Sequence, residues 1–218
     1  KPLYYGWQGQ TFFFGSELKA LREHPNWRGE IDRGVLGLYM RYAYVPAPYS
    51  IYKDIYKLEQ GTVVSLFEPS CREQELGHDT YWSLYDVVQE GIKHPFQGNE
   101  QEAVDELERL LLDAVGKQML ADVPLGAFLS GGYDSSTITA LMQAQSTKPV
   151  KTFSIGFYED DYNEAHHAKA VAEHLGTEHT EMYVTPKEAM DVISQMSELY
   201  DEPFADVSQI PTYLLTKM

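Results

Sequence analysis

The chain has 218 residues, room for one large domain or two small ones, and its 43% hydrophobic and 23% charged residues match ordinary globular usage. A formal net charge of -16 argues against a nucleic-acid partner, whose affinity would rest on Lys and Arg neutralising phosphates. Cys71 is the only cysteine, which excludes a disulfide framework and a thiolate metal cluster; no apolar stretch reaches membrane-spanning length and no signal peptide is visible, so a cytoplasmic protein is expected.

Lys1-Pro2-Leu3-Tyr4-Tyr5 reads as the start of a strand, and Thr11-Phe12-Phe13-Phe14 and Thr62 to Phe67, each behind a glycine turn, read as two more. Ser16 to Leu21 predicts a short helix. Val35 to Tyr42 predicts another, ended by Val45-Pro46-Ala47-Pro48. From Glu68 to about Asn99 the chain is polar and rich in Gly and Pro, and reads as an irregular connection partly ordered by Tyr81-Trp82. Glu100 to Leu120 is an amphipathic helix with Ala103, Val104, Leu107, Leu110, Leu111, Ala114 and Val115 on one stripe. Strands and helices then alternate. Strands are expected at 125–129, 150–155 and 179–183, and helices up to Gln145, over 163–175 and over 186–199. Such alternation predicts an α/β second part, a parallel sheet with helices on both faces, behind an α+β first part. The domain reading is 1–76, a linker over 77–99, and 100–218.

The most informative stretch is Ser130-Gly131-Gly132-Tyr133-Asp134-Ser135-Ser136, placed between an apolar strand and a helix start. That arrangement suits a polyphosphate, because turn amides and the unpaired N–H groups of a helix face the anion. The glycines permit close approach and positive φ. The three serines add hydroxyls, and Asp134 offers a carboxylate for a metal ion or a cap. A Ser/Gly turn capped by Asp134 for stability alone would carry the same letters. The loop has no Gly-Lys-Ser/Thr ending and no G-x-G-x-x-G.

The loop resembles the SGG-x-DS signature of N-type ATP pyrophosphatases, which split ATP between the α and β phosphates. Wider stretches resemble the glutamine-dependent asparagine synthetase family. They are Asp122 to Ser136, Thr152 to Phe157 and Ala172 to Thr177 in the second part, and Lys1 to Tyr5, Gly15 to Leu21 and Tyr44 to Pro48 in the first. The resemblance implies the second half of an N-terminal-nucleophile glutaminase domain joined to an adenine nucleotide α-hydrolase-like domain. Such proteins hydrolyse glutamine, activate a carboxylate as acyl-AMP with release of pyrophosphate, and amidate it with the ammonia. A tRNA-modifying ATP pyrophosphatase and a non-catalytic nucleotide-binding piece are the competing readings. The first wants a basic face and paired cysteines; the second predicts no nucleotide turnover.

On that resemblance Ser130, Gly131, Gly132, Asp134, Ser135 and Ser136 hold the phosphates, while Leu129, Ile155 and Gly156 lie against the adenosine. Asp134 is the catalytic candidate and helps place Mg²⁺. An acidic chain needs such an ion, since a helix N-terminus supplies only about 0.3–2 kcal/mol, so Mg·ATP is the expected ligand. Asp206, Ser208 and Gln209 either contact the carboxylate substrate or cap the helix entered at Pro211. The arginine that would pair with the α-carboxylate of aspartate is missing nearby, which leaves aspartate and other carboxylates open. The glutaminase nucleophile and a second ATP loop are expected outside this chain, both of whose ends read as cut. A homodimer is compatible with the resemblance; the residues themselves fix no oligomeric state.

Other signals read as structural. Cys71 is an incidental thiol in a polar loop. His166, His167, His174 and His179 match no ligand spacing and read as surface histidines. Glu159-Asp160-Asp161 reads as a solvated loop, and Tyr39, Tyr42, Tyr44, Tyr49, Tyr52 and Tyr56 as packing residues.

Overall fold

The computed structural model describes residues 1–66, 76–158 and 163–217. Cys71 and Glu159-Asp160-Asp161 lie outside the described residues. The chain divides into two units, residues 1–95 with 194–207, and residues 96–193 with 208–218.

In the first unit β1 (Tyr4–Gln8) and β2 (Thr11–Gly15) form an antiparallel hairpin in which Gln8 faces Thr11. Gly9 closes the two-residue turn at φ 68, in the left-handed region that glycine reaches without strain. β3 (Tyr56–Lys57) joins the other edge of β1, giving the order β2-β1-β3. Two helices, α1 (Leu18–Arg22) and α2 (Arg33–Tyr42), help bury a core of Tyr4, Phe13, Leu18, Leu21, Val35, Val45, Ile51 and Ile55. Trp27 stands edge-on to Phe13 and Tyr52, at 5.5 and 5.1 Å between ring centres, and extends this core. Of the tyrosine cluster, Tyr39 and Tyr52 pack on the core. Tyr42, Tyr44 and Tyr49 are about half exposed.

The stretch expected to be an irregular connection carries a strand and a helix among its described residues. β5 (Gly77–Thr80) pairs antiparallel with β4 (Thr62–Ser65), and Ser83 caps α3 (Leu84–Lys93) by accepting from the Asp86 N–H. Gly-His-Asp-Thr carries little strand propensity of its own, so β5 exists because the Val63-Val64 run offers it a partner. The Tyr81 and Trp82 N–H groups both donate to the Gly61 carbonyl, at 2.8 and 3.2 Å.

The second unit starts with α4 (Glu100–Gln118), opened by a capping box between Asn99 and Glu102. Its apolar stripe is covered only toward its end. Val115 is buried with Leu141, Met142 and Val150, whereas Val104, Leu107 and Leu110 are about half exposed. Three parallel strands, β6 (Gly126–Phe128), β7 (Lys151–Phe157) and β8 (Glu178–Val184), lie in the order β6-β7-β8. Between them run α5 (Tyr133–Gln145) and α6 (Ala165–Leu175). Ala165, Ala168 and Ala172 form the buried face of α6, and their small side chains let it approach β7 closely. The other face of β7 meets α9 (Gln209–Thr216).

The helix expected over 186–199 is broken. α7 (Pro186–Asp191) begins with a Thr185–Glu188 capping box and stops early. A 3₁₀ turn at Ile193–Gln195 and the short α8 (Met196–Leu199) follow. Val192, Ile193 and Ser194 are weak helix formers, and Val192 is buried.

Candidate functional site

The loop 130–136 joins β6 to α5 at the carboxyl end of the sheet, where ligands of open parallel sheets bind. The Leu129 N–H continues the β6–β7 ladder by donating to the Phe153 carbonyl at 2.9 Å. Beyond it two serines close the loop on itself. The Ser135 hydroxyl lies 2.9 Å from the Ser130 hydroxyl, accepts from the Ser130 N–H at 3.2 Å and donates to the Gly132 carbonyl at 3.2 Å. Ser130 Oγ accepts from the Gly132 N–H at 3.3 Å. The hydroxyls of Ser130 and Ser135 therefore shape the turn, a use the sequence expectation of free hydroxyl donors did not include.

What remains unspent is backbone. Among the described residues the amides of Gly131, Tyr133, Asp134 and Ser135 meet no acceptor, and α5 has Gly132 as an N-cap without a side-chain bond. Four unpaired N–H groups at a helix start form a positive end suited to an anion. Ser136 Oγ is inaccessible and also lacks a partner. The Asp134 carboxylate is exposed, in the first turn, and makes no hydrogen bond or ion pair among the described residues.

The two glycines differ. Gly131 has φ 80, and a Cβ there would stand 2.7 Å from the Ala168 nitrogen and 2.8 Å from the His167 carbonyl carbon. Only glycine fits between loop and helix. Gly132 has φ -72, and a Cβ would meet only Ser130 Oγ, at 3.4 Å. The expected need for positive φ thus falls on Gly131 alone.

Beside the loop lies a cavity of about 280 Å³, lined by Phe128, Leu129, Ser130, Ser135, Phe153, Ser154, Ile155, Phe157, Glu164 and Leu215. Four of the predicted residues, Leu129, Ser130, Ser135 and Ile155, meet in that wall. Gly156 is buried beside it, where a Cβ would stand 3.0 Å from the Ala165 side chain and 2.8 Å from the Tyr183 ring. Glu164 and Leu215 are lining residues that sequence reasoning missed. Glu164 was expected in the first turn of its helix; it is the N-cap residue of α6, while the Asn163 side chain accepts from the Ala165 N–H at 3.1 Å. Ser208 and Gln209, in the same unit, are not part of this wall. Ser208 is the N-cap residue of α9 but makes no side-chain capping bond. Asp206 belongs to the first unit and is exposed.

His179 is not the surface histidine expected. It sits half-buried on β8, its Nδ1 2.9 Å from the Thr152 hydroxyl and its Nε2 3.2 Å from the Ser154 hydroxyl. Thr152 in turn lies 2.9 Å from Thr177 Oγ1. Burial lowers the imidazole pKa below its ordinary value; the Glu181 carboxylate opposes this and the Lys169 ammonium adds to it. Hydroxyl residues at alternate positions of an otherwise apolar strand, Thr152 and Ser154, were the sequence signal for this network. No metal-ligand cluster occurs among the described residues, and no described helix is long and apolar enough to cross a membrane.

In chain order an α+β unit precedes a parallel α/β unit whose strand–turn–helix loop keeps unpaired amides. The comparisons with known proteins agree. Residues 106–218 match the family described as asparagine synthase, and residues 1–82 match the glutamine amidotransferase domain. The chain belongs to the asparagine synthase family. It is 37% identical over 223 residues to a Methanocaldococcus jannaschii protein provisionally named asparagine synthetase (glutamine-hydrolyzing) 2. It is 34% identical over 218 residues to asparagine synthetase (glutamine-hydrolyzing) 1 of Bacillus subtilis. In both cases 100% of this chain is covered, against 41% and 32% of the relative's length. Bos taurus asparagine synthetase is 35% identical over 156 residues, covering 67% of this chain and 26% of that protein.

Proposed function

We propose that this chain is part of an ATP-dependent amidotransferase that activates a carboxylate as acyl-AMP, releases pyrophosphate and forms an amide with nitrogen from glutamine. The observation that carries this reading is the set of unspent amides at Gly131, Tyr133, Asp134 and Ser135 beside the cavity of about 280 Å³. The phosphates would lie on those amides, with Ser130, Gly132 and Ser136 completing the loop. Leu129, Ile155 and Gly156 would border the adenosine, and Leu215 would add to the apolar wall. Asp134, whose carboxylate has no other partner among the described residues, suits Mg²⁺; the ion would offset charge building on the departing diphosphate. A carboxylate is a poor electrophile, and adenylation supplies the leaving group that amide formation needs.

The proposed domains are 1–76, a glutaminase part, and 100–218, a synthetase part, with 77–99 between them. Asp206, Ser208 and Gln209 are proposed to meet the carboxylate substrate, aspartate or a relative of it, and the compartment is proposed to be the cytoplasm. The test is mass spectrometry of the full-length protein with ATP, glutamine and candidate carboxylates. An amide with AMP and pyrophosphate supports the reading; ADP as the only nucleotide product rejects it. Gly132→Val and Asp134→Ala should abolish Mg·ATP binding by calorimetry with the fold kept, and unchanged affinity would count against the loop.

A further inference from the structure

The segment 194–207 leaves the sequence of the second unit, packs as part of the first, and returns at Ser208. Two adjacent carboxylates hold it there. Asp201 accepts from the Leu18 and Lys19 N–H groups at 2.8 and 3.0 Å, and its carboxylate pairs with the Lys19 ammonium at 3.5 Å. It serves as the N-terminal cap of α1, whose own N-cap residue, Glu17, makes no side-chain capping bond. Glu202 is almost fully enclosed. It accepts from the Ile51 N–H at 2.7 Å and the Tyr4 hydroxyl at 3.1 Å, and pairs with Lys57. The Lys19 ammonium also donates to the Leu199 carbonyl at 2.9 Å, and the Ala205 N–H donates to the Ala43 carbonyl at 2.6 Å. Burial, then the charge of Glu202, push the Tyr4 phenol above its ordinary pKa, which keeps it a donor.

Buried charges persist where they are paired and bonded, because removing one partner leaves the other stranded. A pair this fully bonded fixes its segment in one place. The next residues along the chain are Asp206, Ser208 and Gln209, the candidate substrate contacts. We propose that Asp201 and Glu202 are positioning residues: they anchor the strap 199–205 within the first unit and thereby set Asp206, the candidate substrate contact that follows it in the same unit. The inference rests on the amidotransferase reading, and it gives the strap a task, holding Asp206 where the carboxylate would meet it.

The experiment uses the full-length protein and three variants, Asp201→Ala, Asp201→Asn and Glu202→Gln. Amide formed per glutamine hydrolysed is measured with the KM for the carboxylate, the kcat, the Kd for Mg·ATP and the melting temperature. Asp201→Ala and Glu202→Gln are expected to raise that KM about tenfold, one lost charge-assisted hydrogen bond's worth, and to lower the amide-to-glutamate ratio. The Kd for Mg·ATP should stay put. Asp201→Asn, which keeps one carbonyl acceptor for one of the two α1 amides, should recover part of the loss. Folded variants with unchanged KM and ratio would overturn the proposal, as would equal losses in Asp201→Asn and Asp201→Ala. Hydrogen exchange on the same proteins separates this from failure of the functional reading. If no carboxylate is amidated, faster exchange at Leu18, Lys19 and 204–209 in Asp201→Ala still supports the anchor, and unchanged exchange there refutes it.

Discussion

The loop 130–136 and the strap 199–205 are both short, polar and irregular, yet they are held by bonds of very different reach. The side-chain hydrogen bonds within the loop join residues two to five apart in sequence. The strap's carboxylates bond to residues 151 to 198 positions away. The loop carries its shape in its own letters, because Ser130, Gly131 and Ser135 suffice to close it. The strap has no shape without the hairpin, α1 and the core beneath them. His179 stands between the two cases, with hydroxyl partners 25 and 27 residues away on the neighbouring strand.

The contrast can be broken by mutation, and the largest effect is expected at the strap. Glu202→Ala leaves the Ile51 N–H without its acceptor and the Lys57 ammonium with only the Val45 carbonyl, and should destabilise the first unit by about 3 kcal/mol, read by chemical denaturation. A loss of only a few tenths would mean that the strap is not held as described. At the loop the effect should be smaller and should fall on one glycine. Gly131→Ala forces a side chain to positive φ against the α6 backbone and should cost about 1–3 kcal/mol, whereas Gly132→Ala should leave the melting temperature nearly unchanged. Equal effects at both positions would contradict the asymmetry of the turn.

The smallest effect is pH-dependent. The folded-state pKa of His179 is lowered, so the unfolded chain binds its proton more readily. Stability from this group is complete above the unfolded value of about 6.5 and is lost as pH falls through it, levelling off below the folded pKa. Melting curves on either side of that pH should differ in the wild type and differ less in His179→Gln. A wild-type curve that gains stability on acidification through this window, with the gain lost in the variant, would reverse the assignment.

Much of the fold was legible. The α/β alternation, the strand–turn–helix setting of Ser130 to Ser136 and the amphipathic helix starting at Glu100 all follow from local pattern, and the structure contains them. The gaps share a cause. β5 and α3 were hidden in a stretch read as irregular, because Gly-His-Asp-Thr becomes a strand only beside Val63 and Val64. The predicted helix over 186–199 overran a break at Val192 to Gln195. In the site, the loop and Ile155 were found, while Glu164 and Leu215, brought to the cavity from α6 and α9, were not.

Composition and motif spacing alone determined the class of sheet and the strand–turn–helix setting of the Gly/Ser loop in a chain of charge -16. Packing decided that Ser130 and Ser135 would be spent on the turn, that only Gly131 had to be glycine, and that the Asp201 and Glu202 carboxylates would be largely enclosed by distant donors. A helix start is written in consecutive residues, whereas a buried carboxylate is stable only where distant donors have already been assembled. If Glu202 could be emptied of charge with neither the first unit nor the substrate segment responding, that distinction would not hold for this protein.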